Sequence, residues 1–153
     1  IVMKGYLNDP ELTARVIRDG YYDTGDIARI DDDGYVYITG RASRFSKIGG
    51  EMVPHERIEQ AIAALRGSEE REVAVAGRSD AKRGERLVVF YTPDDFDPAE
   101  VVEKLRAGGE LPNLWIPKPE DFRRIDRLPL LGSGKLDLRR LRELAEKPDP
   151  ARG

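Results

Sequence analysis

The chain contains no cysteine and a single histidine, His55. Without cysteine it can form neither disulfides nor thiolate metal sites, which is compatible with a reducing cytosol. One histidine also makes a His-rich metal centre or a Ser-His-Asp triad a poor explanation of any activity. No apolar run reaches the length of a membrane span, and no signal peptide is visible. We therefore predict a cytoplasmic location and no metal site, and leave open whether a longer parent protein associates with a membrane.

Neither sign of charge is in large excess. Lys and Arg total 26 and Asp and Glu total 29, so the net charge is −3. This balance gives no global attraction to nucleic acid, and we predict no nucleic-acid partner. Hydrophobic residues make up 39% of the chain and charged residues 36%, which is typical of a globular protein with a heavily charged surface. The 153 residues suffice for one domain or for one domain plus a fragment.

Local patterns predict an α+β fold in two parts. Residues 1–41 are predicted to form a stretch that contains a β-hairpin. It begins with a short helix over residues 9–19, and the hairpin consists of strands over 26–30 and 35–38 joined by an Asp-Gly turn. Residues 42–146 predict a small domain with a roughly three-stranded sheet flanked by helices, followed by a disordered tail over 147–153. The predicted elements of this domain are helices at 54–65, 98–107 and 138–144, three strands at 73–76, 87–91 and 122–125, and a polar loop at 78–86, with 44–48 as an additional short strand before the first helix.

Two polar side chains flank the predicted hairpin. Asp26 follows Thr-Gly at the start of the first strand, where a carboxylate can accept hydrogen bonds from a vicinal diol such as a ribose. Arg41 ends the second strand, where a guanidinium can bind a sugar hydroxyl or a phosphate. Each also has a simpler interpretation, a turn aspartate that caps its own backbone and a solvated surface arginine.

Two glycine-containing loops follow. In the segment 47–53, KIGGEMV, the amides of Gly49 and Gly50 can face an extended ligand, although a simple tight turn would explain them equally well. In the segment 128–137, LPLLGSGKLD, Lys135 can be held against a phosphate or a carboxylate. This segment is not a P-loop, because Pro129 stands where that motif requires Gly and Leu136 stands where it requires Ser or Thr.

Taken in order along the chain, these segments resemble the adenylate-forming superfamily of acyl-CoA synthetases, luciferases and peptide-synthetase adenylation domains. The resemblance rests on YDTGD at 22–26, GRAS at 40–43 with KIGG at 47–50, and PLLGSGK at 129–135. The segments 43–53, 114–118 and 130–135 are also similar to the branch of acyl-acyl carrier protein synthetases and 2-acylglycerophosphoethanolamine acyltransferases.

The resemblance implies a set of roles. A fatty acid would attack ATP to give an acyl-adenylate, and the phosphopantetheine thiol of an acyl carrier protein would then displace AMP. Asp26 and Arg41 would hold the ribose, Lys135 would bridge the carboxylate and the α-phosphate, Ser43 would be the hinge, and Lys47, Gly49 and Gly50 would face the pantetheine. Residues 1–41 would be the end of a large AMP-binding domain, which would supply most of the contacts to ATP and Mg²⁺.

Several alternatives stay open at this point. The superfamily most often has Asp or Lys where this chain has Ser43, and a hinge requires only a backbone that tolerates both conformations. The family's phosphate loop and acyl pocket are not in this sequence, and the chain does not open on an initiator Met, so we expect a piece of a longer protein that is inactive alone. The parent could equally be an acyl-CoA or amino-acid-activating ligase. In a different class, the chain could be a non-catalytic module that docks a carrier protein or a nucleotide.

Overall fold

The computed structural model describes residues 2–148 and divides the chain between Ser43 and Arg44 into two compact units. Residues 149–153, most of the tail predicted to be disordered, lie outside the described residues. The described helices are α1 (Pro10–Val16), α2 (His55–Arg66), α3 (Pro98–Gly108) and α4 (Leu138–Glu146). The described strands are β1 (Ile17–Arg18), β2 (Tyr21–Tyr22), β3 (Asp26–Ile30), β4 (Val36–Arg41), β5 (Phe45–Ile48), β6 (Glu51–Pro54), β7 (Val73–Asp80), β8 (Gly84–Tyr91) and β9 (Phe122–Arg124).

The first unit consists of one short helix and two small antiparallel ladders. The side chain of Asp9 caps α1 by accepting a hydrogen bond from the amide of Leu12 at 2.9 Å, and proline occupies the first turn. β1 pairs with β2, and β3 pairs with β4 across a turn in which Gly34 has φ +86°. The register of the second ladder places Asp26 directly opposite Arg41. The ladder therefore brings together two side chains that are 15 positions apart in the sequence.

The second unit is built on a five-stranded mixed sheet. Its strand order is β6-β5-β8-β7, and β9 runs parallel to the end of β8. β8 pairs with β7 from Val73↔Tyr91 to Asp80↔Gly84. β8 meets β5 only at Ile48↔Gly84. β8 is thus the central strand on which the other elements are arranged.

Both faces of this sheet are buried. Along β7 and β8 the side chains alternate between two apolar clusters, as expected for strands covered on both sides. Val75 and Val89 point into the first cluster, which is closed by α2 and α3, and Phe90 points into the second, which is closed by α4. The first cluster is Ile48, Val53, Ile58, Ala61, Ile62, Val73, Val75, Leu87, Val89, Phe96, Val101, Val102, Leu105, Leu111 and Phe122. The second is Ala74, Ala76, Val88, Phe90, Leu128, Leu136, Leu141 and Ala145.

The predicted α+β class is confirmed, and the sheet of the second unit has five strands where the sequence suggested about three. The polar loop expected over residues 78–86 is wrong, because β7 and β8 extend through it to a tight turn between Asp80 and Gly84. The carboxylate of Asp80 stabilises this turn. It accepts hydrogen bonds from the amides of Lys82 and Arg83, both at 2.9 Å. The ends of β7 and β8 extend beyond the part of the sheet that the helices cover, and their side chains are polar. The sequence therefore has no apolar pattern there from which strands could be predicted. The assignment of residues 1–41 and 42–146 to two parental domains stays a prediction.

Candidate functional site

Asp26 and Arg41 form an ion pair in the first unit. Nε of Arg41 lies 2.7 Å from Oδ1 of Asp26, and Nη1 of Arg41 donates to the carbonyl of Thr24 at 3.1 Å. The Asp26 side chain is 19% exposed and that of Arg41 62%, so the carboxylate is partly enclosed while the guanidinium faces outward. The pair combines an acceptor and several donors within one ladder, a combination suited to neighbouring sugar hydroxyls.

Ser43 is exposed and lies in a short 3₁₀ turn, Ala42–Arg44, at the boundary of the two units. The next residue is fixed firmly. Arg44 is only 5% exposed, its Nη2 lies 2.5 Å from Oε2 of Glu59, and its Nη1 donates to the carbonyl of Val75 at 3.2 Å. Glu59 in turn accepts a hydrogen bond from the amide of Val75 at 2.7 Å. The second unit therefore holds the chain from Arg44 onward, and Ser43 is the last residue before this anchor.

Gly49 and Gly50 form the exposed turn between β5 and β6. Their φ values are +59° and +93°, which L-residues other than glycine adopt at a cost. A Cβ atom at either position would meet nothing within 4 Å, so the glycines serve the backbone conformation rather than close packing. Lys47 is exposed beside the turn, and its amide donates to Oε2 of Glu85 at 2.6 Å. The three residues predicted to face a ligand thus lie on one exposed edge.

A basic groove of about 620 Å³ lies beside this turn and is lined by Ile48, by residues of the turn between β7 and β8, and by most of the segment 113–121. Ile48, Leu114 and Ile116 contribute apolar surface. Its cations outnumber its anions, and among the described residues Lys82, Arg83 and Arg106 have no ion pair. The charged side chains that line it are Lys82, Arg83, Arg86, Arg106, Lys118, Asp80, Glu120 and Asp121.

Lys135 is exposed on a loop that is anchored at both ends. The amide of Leu131 donates to the carbonyl of Lys135 at 2.8 Å, and the amide of Asp137 donates to the carbonyl of Pro129 at 2.9 Å. Leu128 and Leu136, each 8% exposed, fix the base of the loop in the second apolar cluster. Lys135 makes no ion pair within residues 2–148. The loop therefore presents an ammonium group to solvent on a fixed base.

His55, the first residue of α2, is 2% exposed, and its Nε2 lies 2.9 Å from Oγ of Ser46. Burial lowers the pKa of His55 to about 3, and the positive charges of Arg44 and Arg142 contribute to the shift. The imidazole is therefore neutral at physiological pH and is part of the core.

Two contacts in the second unit were not predicted. Nε1 of Trp115 donates to Oε1 of Glu51 at 2.8 Å, across a sequence separation of 64. Arg44 and Glu59, 15 positions apart, form the buried pair described above. No local sequence pattern could have revealed either contact, because each depends on how the strands and turns are brought together.

Residues 2–148 provide no group of three or more His, Cys, Asp or Glu side chains arranged to hold a metal ion. They therefore offer no site built from protein side chains alone for Mg²⁺, and no chemical step is assigned to Mg²⁺ on this part of the chain. In the same range no helix has the length and apolar character that crossing a bilayer requires.

Residues 57–135, just over half of the chain, match the family of AMP-binding enzyme C-terminal domains. The chain belongs to this family, and the exposed loop lysine is the last residue matched.

Similar proteins extend the likeness over most of the chain. A feruloyl-CoA synthase from Amycolatopsis sp is 37% identical over 138 residues, which cover 88% of this chain and 27% of that protein. A long-chain-fatty-acid–CoA ligase from Bacillus subtilis is 36% identical over 143 residues, 93% of this chain and 25% of the ligase. The crystal structure of ATP-bound MatB from Rhodopseudomonas palustris is similar with a TM-score of 0.75 and 34% identity, covering 94% of this chain and 28% of that one. The chain thus spans about a quarter of the length of the relatives that it matches.

Proposed function

We propose that this chain is the C-terminal part of an AMP-forming acid–thiol ligase and works together with a large AMP-binding domain. In the first half-reaction a carboxylate oxygen attacks the α-phosphorus of ATP, and the bond to pyrophosphate breaks. In the second half-reaction a thiol attacks the acyl carbonyl carbon, and the bond to AMP breaks. The observation that carries the proposal is the exposed Lys135 on its anchored loop, at the end of the segment that matches the family.

The first half-reaction brings two anions together, and a cation between them offsets their repulsion. Lys135 supplies that cation without breaking any ion pair seen in the described residues. Asp26 and Arg41 are proposed to hold the ribose hydroxyls, with Oδ1 of Asp26 engaged by Arg41 and Oδ2 left to accept from the sugar. Ser43 is proposed as the hinge about which Lys135 leaves and the Gly49–Gly50 turn approaches the thiol.

The test is Lys135→Ala in the complete ligase. We expect ATP–pyrophosphate exchange to fall by about 10²- to 10³-fold, because one preorganised charge is lost from the transition state. Transfer from a preformed acyl-adenylate to the thiol should be retained. Lys104→Ala is the matched control, since Lys104 is an exposed lysine of the same unit, 2.7 Å from Glu100 on α3, and should leave exchange unchanged. Unchanged turnover in Lys135→Ala would contradict the proposal and favour a non-catalytic docking module. The isolated chain should give no exchange.

We propose CoA as the thiol donor. The named relatives are CoA ligases, and the basic groove beside the glycine turn suits the phosphates of CoA. This departs from the acyl carrier protein expected from the sequence. The carrier protein remains a second candidate, favoured by the likeness of segments 43–53 and 114–118 to the carrier-protein branch. Supplying the complete ligase with CoA and with holo carrier protein in separate reactions distinguishes them. A fatty acid is the proposed carboxylic acid, and coupling to lysophospholipid acylation applies only if the carrier protein is the acceptor.

A further inference from the structure

The Gly49–Gly50 turn is held from outside its own hairpin at three points. The amide of Lys47 donates to the side chain of Glu85, and the amide of Gly49 donates to the carbonyl of Arg83 at 3.0 Å. Both partners lie at the start of β8 or just before it. The third point is the hydrogen bond from Nε1 of Trp115 to Oε1 of Glu51, which comes from a different part of the second unit.

Trp115 is well placed to act as an anchor. It ends the 3₁₀ turn Asn113–Trp115, where its amide donates to the carbonyl of Pro112 at 2.9 Å, and its ring packs against the first apolar cluster. Glu51 is exposed and directly follows Gly50. The indole–carboxylate bond therefore connects the rim of the turn to the core of the unit.

The turn needs such a connection. Neither glycine has a neighbour within 4 Å of the position that a Cβ atom would occupy, so packing does not select the conformation of the turn. Two successive residues with positive φ have a large conformational freedom to lose. The ladder pair Ile48↔Glu51 closes the turn, and the three bonds at its flanks are the contacts from outside the hairpin that limit this freedom further.

We propose that Trp115 and Glu51 are positioning residues for the thiol step, holding the glycine turn in the orientation that receives the thiol donor. This inference rests on the proposed function. Trp115 packs on the sheet face closed by α2 and α3, whereas the Lys135 loop is anchored in the cluster on the opposite face. Loss of the tether should therefore affect thioester formation and leave adenylate formation intact.

The experiment uses the complete ligase with Trp115→Phe, which keeps an aromatic ring and removes the donor, and Glu51→Ala, which removes the acceptor. Each should raise KM for the thiol donor by about 3- to 10-fold, the effect of one net hydrogen bond. KM for the carboxylic acid and the rate of ATP–pyrophosphate exchange should not change. Glu51→Gln keeps an oxygen acceptor and should restore a near-normal KM. The double variant should be no worse than either single variant, because both remove the same bond.

Trp115 is the only tryptophan of the chain, which gives a second readout. In the isolated chain, Glu51→Ala should shift the fluorescence emission of Trp115 and Glu51→Gln should shift it less. Equal losses in both half-reactions would show a merely structural role and overturn the inference. An unchanged KM for the thiol in an active ligase, or unchanged emission in Glu51→Ala, would also overturn it. A wild-type ligase that forms neither adenylate nor thioester would instead overturn the proposed function, and the inference with it.

Discussion

At the scale of single residues, His55 makes stability depend on pH. Its pKa is about 3 in the folded chain against an ordinary value of 6.5, so between these values the unfolded chain binds more protons. The contribution of neutral His55 to the free energy of unfolding is fully present above about pH 6.5. It is lost as the pH is lowered toward 3, by at most about 1.4 kcal/mol per pH unit. Urea unfolding at pH 7.5 and pH 5 measures this loss. His55→Gln keeps a hydrogen-bonding group but does not titrate, so it should remove the slope above about pH 4.5.

Gly77 lies against Ser46, the hydrogen-bond partner of His55, and a larger side chain at this position would disturb that contact. A Cβ atom at this position would lie 2.1 Å from Oγ of Ser46, which is itself fixed by His55. We expect Gly77→Ala to destabilise the chain by about 1–3 kcal/mol, because a buried side chain must move to admit a methyl group. Gly108→Ala, at the end of α3 with nothing within 4 Å, is the control and should be neutral or slightly stabilising. Equal midpoints of urea unfolding for the two variants would contradict the expectation.

Residue identities single out the candidate site residues, whose roles stay predictions, but they do not reveal the contacts that support those residues. Asp26, Arg41, the glycine turn and Lys135 were singled out because each stands beside glycine in a loop or at a strand end. The opposed register of Asp26 and Arg41 and the burial of Arg44 could not be inferred, since both depend on pairing over 15 or more positions. The hydrogen bond from Nε1 of Trp115 to Glu51 joins residues 64 positions apart and could not be inferred either.

At the scale of elements, the Arg44–Glu59 pair joins the start of the second unit to α2 and β7. Removing Glu59 leaves the buried guanidinium of Arg44 with the exposed carboxylate of Glu56, 3.6 Å away, as its remaining ion pair. Glu59→Ala should therefore destabilise the chain by about 3 kcal/mol, the lower end of the range for a broken buried pair. Arg44→Met combined with Glu59→Leu should recover much of this loss. The control is Glu100→Ala, which breaks an exposed pair with Lys104 on α3 and should cost less than about 1 kcal/mol. Urea unfolding measures both variants. If Glu59→Ala lowered the free energy of unfolding no more than Glu100→Ala does, the Arg44–Glu59 pair would not be a structural anchor.

Elements that are apolar or well capped were the predictable ones. Asp97-Pro98 at the start of α3 and Gly67 after α2, with φ +64°, mark helix ends in the sequence as they do in the structure. β6 was missed because its four residues follow a glycine turn and end in a proline. Helix α1 ends at Val16 rather than near residue 19, because β1 begins at Ile17 and pairs with β2. Here tertiary pairing outweighs helix propensity.

At the scale of the whole molecule, the two units differ in what they bury. The buried apolar residues of the described chain all lie beyond Ser43, while Ile30, Val36 and Ile38 of the hairpin are 63–70% exposed. We predict that deleting residues 1–43 leaves the urea midpoint of the second unit nearly unchanged. It should also reduce concentration-dependent association, since the exposed strands of the hairpin are removed. Sedimentation at several concentrations measures the association, and a large fall in the midpoint would contradict the prediction.

The Arg44–Glu59 pair has one more consequence. β7 is an edge of the sheet, and the outward amide and carbonyl of Val75 are occupied by Glu59 and Arg44, while the amide of Ser79 is occupied by Glu146 at 3.0 Å. Side chains here take the place that a neighbouring strand would otherwise fill. The same arginine that fixes the chain after Ser43 thus protects the sheet against templated growth with strands of other copies.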